Sequence, residues 1–155
     1  MARVDFHSQV SDKLTYTCRL ARKICSISEG KDPIKNIVIV GPLQTLKGLD
    51  QLLWTFSPDE FLPHCFLDDE AAAYTPIVFS EHFDPQAFSQ IPHQDVFIHL
   101  GQEFLNDIEK ITERFDRVVE VVSTEEHDLL AGRERYKQYR TMGLELFNHD
   151  QKGAS

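Results

Sequence analysis

The stretch NIVIVGP, residues 36–42, decides the fold class of this chain. Its four consecutive β-branched residues predict a strand that is buried on both faces, as strands inside parallel sheets are. Gly41 and Pro42 end that strand, and the leucines that follow at positions 43, 46, 49 and 53 recur with the spacing of one helix face. A buried strand that passes directly into an amphipathic helix favours a layered α/β domain.

The same alternation of strands and helices extends in both directions. Residues 2–6 (ARVDF) predict a first strand, and Ser11 is placed to cap the helix after it. That helix has apolar residues at positions 14, 18, 21 and 25, among them two cysteines of the core, and it ends at Gly30 and Pro33. Three further apolar runs predict buried strands: TPIVFS at 75–80, DVFIHL at 95–100 and DRVVEVV at 116–122.

The C-terminal part of the chain predicts one more helix. Ser123-Thr124-Glu125-Glu126 has the form of a capping box, and the helix that it opens ends near Gly143. Because helices separate the strands, the pattern predicts a single three-layer α/β domain with a mostly parallel central sheet flanked by helices. We assign residues 1–146 to this domain and 147–155 to a flexible C-terminal tail, with irregular segments at 57–74 and 81–93.

The composition is that of a soluble globular domain. The chain has 155 residues, of which 41% are hydrophobic, enough for one domain with a buried core. Its net charge of −9 disfavours broad contact with nucleic acid, which needs a basic surface. It has no membrane-spanning apolar run, no signal-peptide pattern and no CxxC spacing among its three cysteines. We therefore expect a reduced, cytoplasmic protein with little or no direct DNA binding and no membrane contact.

Patterns that would indicate catalysis or metal binding are weak. The glycines that follow Val40 match neither GxGxxG nor GxxxxGK[ST], the two phosphate-binding patterns. His64 and Cys65 are neighbours, and in an extended segment their side chains point to opposite faces. The acidic residues 68–70 and the scattered histidines lack metal-ligand spacing. We predict no catalytic residue, no metal site and no cofactor; the alternative is a small nucleotide-binding or hydrolytic α/β enzyme that uses the loop after Val40.

The last predicted helix carries an unusual local charge. Residues 131–143 contain four cations and one acid, a net charge of +3, so the rest of the chain carries −12. Arg133, Lys137 and Arg140 recur at i, i+4 and i+7, which places them on one helix face with Tyr136 beside it. Such a run is typical of a solvated surface. No acids stand at i±4 to pair with these cations, which equally fits capture of an anionic peptide or a terminal carboxylate.

A second outlier is LLWTFSPDEFLPHC, residues 52–65. It gathers large apolar side chains where a helix ends and a loop follows, namely Trp54, Phe56, Phe61, Leu62 and Pro63. Some of them must pack in the core. As a group they also fit an exposed patch that docks a protein partner.

These segments, taken in order, resemble the chi subunit of bacterial DNA polymerase III. LLWTFSPDEFLPHC, DRVVEVVS and DLLAGRERYKQYR carry the resemblance, which continues through TPIVFS, QDVFIHLG and the N-terminal DFH and DKLTYTCRLARKI. It implies a Rossmann-like α/β fold and a non-catalytic accessory subunit of the DNA polymerase III holoenzyme in DNA replication. The family links the clamp loader, through the psi subunit, to single-stranded DNA-binding protein (SSB), whose acidic C-terminal tail ends in a phenylalanine with a free carboxylate.

The resemblance also assigns residues to the binding site for the SSB tail. Arg133 corresponds to the arginine that holds the terminal carboxylate, and Lys137 is expected to face the aspartates of the tail. Val122 and Tyr136 are expected to line the pocket for the terminal phenylalanine. Arg140 belongs to the same cationic helix face.

On the psi side, the resemblance points to Trp54, Phe61 and Pro63. Two positions depart from the family pattern. Leu129 stands where some members have a lysine that adds to the cationic ridge, which predicts weaker electrostatic capture of the tail. Leu144 stands where an aromatic residue is common, and we expect that change to alter only packing.

Overall fold

The computed structural model describes residues 3–27, 35–55 and 62–152, and within these ranges seven strands pair into one sheet. The strands are β1 (Arg3–Val10), β2 (Ile37–Val40), β3 (His64–Phe66), β4 (Ile77–Ser80), β5 (Val96–His99), β6 (Arg117–Ser123) and β7 (Leu146–Asp150). The helices in the same ranges are α1 (Lys13–Ile27), α2 (Leu43–Thr55), α3 (Pro85–Phe88), α4 (Ile108–Arg114) and α5 (Glu126–Thr141), with a 3-10 turn at Ala72–Tyr74. The predicted α/β class is confirmed.

Neighbouring strands of this sheet are parallel throughout, in the order β3-β4-β2-β5-β6-β1-β7. The first face of the sheet, which includes Ile39 and Val119, packs against α1 and α2. The second face, which includes Val38 and Val118, packs against α3, α4 and α5. The predicted three-layer arrangement around a parallel sheet is therefore confirmed, and β3 and β7 are its two edge strands.

The core of the first two layers follows the sequence pattern closely. All four residues of β2 are fully buried, as the continuous β-branched run predicts. In α2, Leu46, Leu49 and Leu53 are buried, whereas Leu43 at its start is 37% exposed. Cys18 and Cys25 are core residues of the first face, and burial raises the pKa of their thiols to about 12 and about 11.

The last strand corrects the predicted flexible tail. β7 pairs in parallel with β1, with Leu146 opposite Val4, so the assignment of residues 147–150 to a flexible tail is wrong. His149 ties the strand down, because its Nε2 donates a hydrogen bond of 2.8 Å to the buried carboxylate of Asp5. An edge strand needs only one paired neighbour, so a short polar segment can form it without the hydrophobic periodicity that sequence analysis detects.

Both predicted helix caps are also corrected. Asp12, not Ser11, caps α1: its carboxylate accepts a hydrogen bond of 3.2 Å from the backbone N–H of Thr15. Ser123 is the last residue of β6 rather than a cap, and α5 begins at Glu126 without a side-chain cap.

The remaining boundaries divide into three cases. The predicted helix end near Gly143 is confirmed, since this glycine has a φ of +84° and its N–H donates to a carbonyl of the last helical turn. The segments 57–74 and 81–93, predicted to be irregular, contain β3 and α3. Gly30 and Pro33, the predicted end of α1, lie outside the described residues.

Candidate functional site

A cleft of about 490 Å³ opens on the second face, between α5 and the edge formed by β1 and β7. Its lining residues are Phe6, Ser8 and Gln9 from β1, Val122 from β6, Leu129, Gly132, Arg133, Tyr136 and Lys137 from α5, and Asn148 and Asp150 from β7. Four of the five residues predicted to bind an acidic tail therefore lie around one cleft. Arg140 is exposed on α5 and lies outside this lining, so its contribution stays a prediction.

The floor of the cleft is apolar because α5 approaches β6 closely at Gly132. A Cβ atom at this position would lie 2.8 Å from both γ-methyl groups of Val122, closer than side chains tolerate. Beside this contact, the rings of Phe6 and Tyr136 meet edge to face with 5.1 Å between their centroids. The floor can therefore accept a bulky apolar group, and the Tyr136 ring is held in place to contact it.

The rim of the cleft is cationic. Arg133 and Lys137 are exposed, and neither side chain forms an ion pair or hydrogen bond with any residue of the described ranges. The acid nearest in sequence, Glu134, instead accepts a hydrogen bond of 3.3 Å from the side chain of Gln138. Two cations that have no internal partner can pair with the carboxylates of a ligand at little cost.

The outer wall of the cleft comes from β7, and the sequence analysis missed it. Asn148 and Asp150 are on the second face, the same side as Ser8, whose hydroxyl donates a hydrogen bond of 2.9 Å to Asn148. The Asp150 carboxylate accepts the backbone N–H of Lys152 at 2.7 Å. The strand thus adds one amide and one carboxylate to the cleft. The sequence analysis assigned these residues to a flexible tail, because they have no hydrophobic pattern that predicts a strand.

Beneath α5 lies a buried polar cluster that fixes the rotation of the helix. Glu120 of β6 is fully buried, and Tyr139 donates to its Oε2 at 2.7 Å while His99 Nδ1 lies 2.7 Å from its Oε1. Arg135, only 1% exposed, places Nη2 at 3.2 Å from Glu120 and donates from Nη1 to the carbonyl of Gln102. With positions 135 and 139 held inward, positions 133, 136 and 137 of α5 face the cleft.

The electrostatics of this cluster favour an ionised Glu120. Burial acts to raise the pKa of this carboxyl, but the opposing charges of His99 and Arg135, with the two hydrogen bonds, outweigh it and lower the pKa. Burial and the neighbouring carboxylate raise the pKa of the Tyr139 hydroxyl, so it stays a donor. The sequence analysis counted Arg135 in the local charge of residues 131–143 without predicting its burial. The single acid among the valines of RVVEVVS could have indicated a buried cation, because a buried charge requires a buried partner.

The two departures from the family pattern have different surroundings. Leu129 lines the cleft one turn before Arg133, so it contributes apolar surface where some members have a lysine. Leu144 is 8% exposed and packs in the core of the second face. The first position bears on the cleft, and the second bears on packing alone.

Two of the three residues predicted to bind psi, Trp54 and Pro63, lie at the opposite edge of the sheet. Trp54, near the end of α2, is 59% exposed, and its ring packs edge-on against His64 of β3 with 5.3 Å between centroids. Pro63, next to β3, is also exposed. Phe61 lies outside the described residues. The described part of this surface is therefore separated from the cleft by the width of the sheet, since β3 and β7 are opposite edges.

The loop after Val40, the site of the alternative enzyme reading, has the structure of an ordinary strand-to-helix turn. The N–H of Gly41 donates to the carbonyl of Ser80 at 3.3 Å, so this amide is committed within the sheet. A Cβ atom on Gly41 would lie 3.1 Å from the Cβ of Leu100, which makes close packing the reason for this glycine. The Gly41 amide is therefore not available to a phosphate.

Other candidate chemistry can be placed within the described ranges. His64 packs against Phe79 of the first-face core, whereas Cys65 packs on the second face, as the predicted alternation requires. Burial raises the pKa of the Cys65 thiol. No three histidine, cysteine or acidic side chains among the described residues converge as metal ligands do. The helices of these same ranges are all too short or too polar to traverse a lipid bilayer.

Comparison with known proteins adds an independent observation. The family described as "DNA polymerase III chi subunit, HolC" matches residues 1–147 of the chain. A DNA polymerase III subunit chi from Pseudomonas aeruginosa is 28% identical over 153 residues, which cover 96% of each protein. A protein of the same name from Haemophilus influenzae is 33% identical over 99 residues, 63% of this chain and 62% of the relative.

Proposed function

This chain belongs to the DNA polymerase III chi subunit family, and from that premise we propose that it links two proteins at opposite edges of its sheet. The cleft beside β7 binds the acidic C-terminal tail of SSB. The surface around Trp54 and β3 docks the psi subunit of the clamp loader. In this function the chain is a non-catalytic accessory subunit of the replicase.

The observation that carries the tail-binding proposal is the composition of the cleft. An apolar floor of Val122, Phe6 and Tyr136 lies directly beside two cations, Arg133 and Lys137, that have no partner among the described residues. A peptide that ends in a phenylalanine needs both features within one residue length, an apolar pocket for the ring and a guanidinium for the terminal carboxylate. Acidic residues upstream in the peptide then extend along the rim toward Lys137.

The net charge of the chain supports a peptide rather than DNA as the ligand of this cleft. A chain that carries −9 overall repels an extended polyphosphate beyond the few cations of α5. A short acidic peptide covers little more than the cleft itself. Selection of the peptide over nucleic acid thus follows from a cationic site confined to one helix face.

A titration with intact SSB and with SSB that lacks its C-terminal residues tests this proposal. We expect saturable binding of the intact protein, and binding of the isolated tail peptide with similar affinity, by calorimetry. Truncated SSB is expected to show no heat of binding. Equal binding of truncated and intact SSB would contradict the proposal, because the cleft would then have no terminal group to hold.

The proposal for psi rests on the exposed aromatic surface at the other edge. Trp54 exposes more than half of its surface although indole rings are usually well covered in a core. Tryptophan is among the residues that most often carry the binding energy of a protein interface. Co-purification of this chain with the psi protein tests the pairing, and a mixture that elutes as two separate species on gel filtration would contradict it.

The non-catalytic role is part of the same proposal. The turn after Val40 commits its glycine amide to Ser80, which disfavours the alternative of a nucleotide-hydrolysing enzyme at that loop. We expect the purified chain to show no polymerase, nuclease or ATPase turnover. Turnover that stays with the chain through successive columns would contradict this expectation.

A further inference from the structure

A second cavity, of about 690 Å³, lies on the first face, on the other side of the sheet from the cleft. It is bounded by α1 on one side and by the β6-β1-β7 edge on the other. The polar side chains that matter to its chemistry are His7, Tyr16, Arg19, Lys23, Arg117 and His149. A volume of this size is typical of small-molecule sites.

Two arginines in the lining of this first-face cavity have guanidinium nitrogens without a partner among the described residues. Arg19 of α1 forms no ion pair or hydrogen bond with any described residue. Arg117 of β6 uses only its Nε, which lies 3.0 Å from Asp5 Oδ2, so its two terminal amino groups have no partner within the described ranges. The single carboxylate of the lining, that of Asp12, accepts two hydrogen bonds from Thr15 and forms no ion pair with Arg19 or Arg117 in the described ranges; its one negative charge is smaller than the charge of the lining cations.

The nearby buried acid does not cancel this charge either. Asp5 is shared by three groups: Arg3 at 2.7 Å, His149 at 2.8 Å and Arg117 at 3.0 Å. Burial acts to raise the pKa of Asp5, but these partners outweigh it and lower the pKa to about 2. One negative charge therefore faces two guanidinium groups, and a surplus of positive charge remains at the cavity.

His7 adds a buried, neutral ring to the same lining. It is 6% exposed, its Nδ1 is hydrogen-bonded with the Tyr16 hydroxyl, and its Nε2 has no partner among the described residues. Burial, followed by the charges of Arg117 and His149, lowers the pKa of His7 to about 4, so the ring is neutral at pH 7. When Tyr16 donates to Nδ1, the single ring proton is on Nε2, which is then a donor without an acceptor.

We propose that the first-face cavity binds a phosphate monoester. Two guanidinium groups, Arg19 and Arg117, match the forked geometry of phosphate oxygens. A phosphate dianion can accept from Arg19 and from the two terminal amino groups of Arg117 at once, because its three terminal oxygens exceed the two of a carboxylate. The cavity accommodates one terminal phosphate with its sugar or base, and such a group is carried either by a free nucleotide or by the end of a nucleic acid strand.

Calorimetric titration of the full chain with adenosine monophosphate, with adenosine as the matched compound that lacks phosphate, tests the site. We expect the monophosphate to bind saturably, with a Kd of about 1 mM or tighter, and adenosine to give no binding. Arg19→Gln should weaken binding about tenfold, and Arg140→Gln, the same change on the other face, should leave it unaltered. In NMR spectra, the monophosphate should shift the ring nitrogens of His7 and His149 and leave those of the exposed His127 in place.

Two short thymidine oligonucleotides, with a 5′-phosphate or a 5′-hydroxyl, then distinguish the sources. If the nucleotide and the 5′-phosphorylated strand both bind, the ends of nucleic acid strands are ligands. If the nucleotide binds and neither oligonucleotide binds measurably, the site takes free nucleotides. Equal binding of the two oligonucleotides would overturn the proposal, because phosphodiesters would then suffice. Equal binding of adenosine and its monophosphate, absence of saturable binding, or a folded Arg19→Gln protein with unchanged affinity would overturn it as well.

Discussion

The two edges of the sheet are built for different kinds of contact. At the β7 edge, the cleft places Arg133 and Lys137 around an apolar floor, and a buried cluster beneath α5 holds these side chains in position. At the β3 edge, Trp54 and Pro63 present apolar surface, and the neighbouring His64 packs against the Trp54 ring while its Nδ1 donates to the carbonyl of Leu62. The β7 edge is suited to recognise a ligand by its charge and shape, and the β3 edge to bind a partner by burial of apolar surface.

This difference has a consequence for a protein that connects two others. Electrostatic contacts at an exposed rim weaken as salt is added, whereas burial of apolar surface does not. We therefore expect the tail site to respond to ionic strength and the psi site to be nearly indifferent to it. The separation of the two sites also predicts that a change at one edge leaves the other intact.

The largest effect is expected from Arg135→Met, which removes one partner of the buried cluster. Glu120 would keep its charge without the guanidinium that balances it, and breaking a buried ion pair in this way lowers the free energy of unfolding by about 3–5 kcal/mol. Urea denaturation measures this loss, with Arg140→Met on the exposed side of α5 as the control. A wild-type midpoint for the Arg135 variant would show that the cluster does not hold the helix.

Arg133→Ala should have the next largest effect, on binding rather than on stability. Charge-assisted hydrogen bonds are worth about 1.5–3 kcal/mol, which corresponds to a loss of tail affinity of roughly 10- to 100-fold. Arg133→Lys should restore part of it, since an ammonium cannot grip a carboxylate through two parallel bonds. Calorimetry with the tail peptide measures the loss, after circular dichroism confirms the fold. Undiminished psi binding by the same variant would support two independent edges.

Trp54→Ala should weaken psi binding by about 30-fold, the size of effect typical of a tryptophan at the centre of an interface. Tail binding should stay at the wild-type value, because Trp54 lies at the other edge. Leu130→Ala, which removes a side chain that is 53% exposed on α5, is the matched control and should leave psi binding unchanged. Unchanged psi affinity of the Trp54 variant would contradict the assignment of the psi site to this edge.

Lys137→Ala should have a smaller effect than the preceding changes, a loss of tail affinity below about tenfold, because an exposed ammonium facing solvated acids is screened. Raising the salt concentration should reduce this loss further, while the loss caused by Arg133→Ala persists. Arg140→Ala, a cation of the same helix outside the cleft lining, should weaken binding less than either. Titrations at two ionic strengths make the comparison, and equal salt dependence of the Lys137 and Arg133 effects would contradict it.

The parts of the fold that bury continuous apolar sequence could be predicted. The continuous β-branched run predicts β2, the helical spacing of leucines predicts α2, and Gly143 predicts the end of α5. β7 could not be predicted, because its stability comes from a partner strand and from the contact of His149 with Asp5, more than 140 residues away in sequence. Local patterns carry no information about such pairings.

The candidate site divides in the same way. The spacing of Arg133, Tyr136 and Lys137 on one helix face follows from helix geometry, so the sequence places them together. The inward direction of Arg135 depends on Glu120 of a distant strand, and the helix pattern alone does not distinguish it from its exposed neighbours. The contribution of Asn148 and Asp150 to the cleft depends on β7, so it could not be predicted from the sequence either.

The most direct test of the central claim is a double-mutant cycle on the contact between Arg133 and the terminal carboxylate. Wild-type and Arg133→Ala proteins are titrated with the tail peptide in two forms, with a free C-terminus and with a C-terminal amide. Amidation should weaken wild-type binding by roughly 10- to 100-fold and hardly affect the variant, a coupling of about 1.5–3 kcal/mol. The same loss on amidation in both proteins would contradict the account, since Arg133 would then not hold the carboxylate.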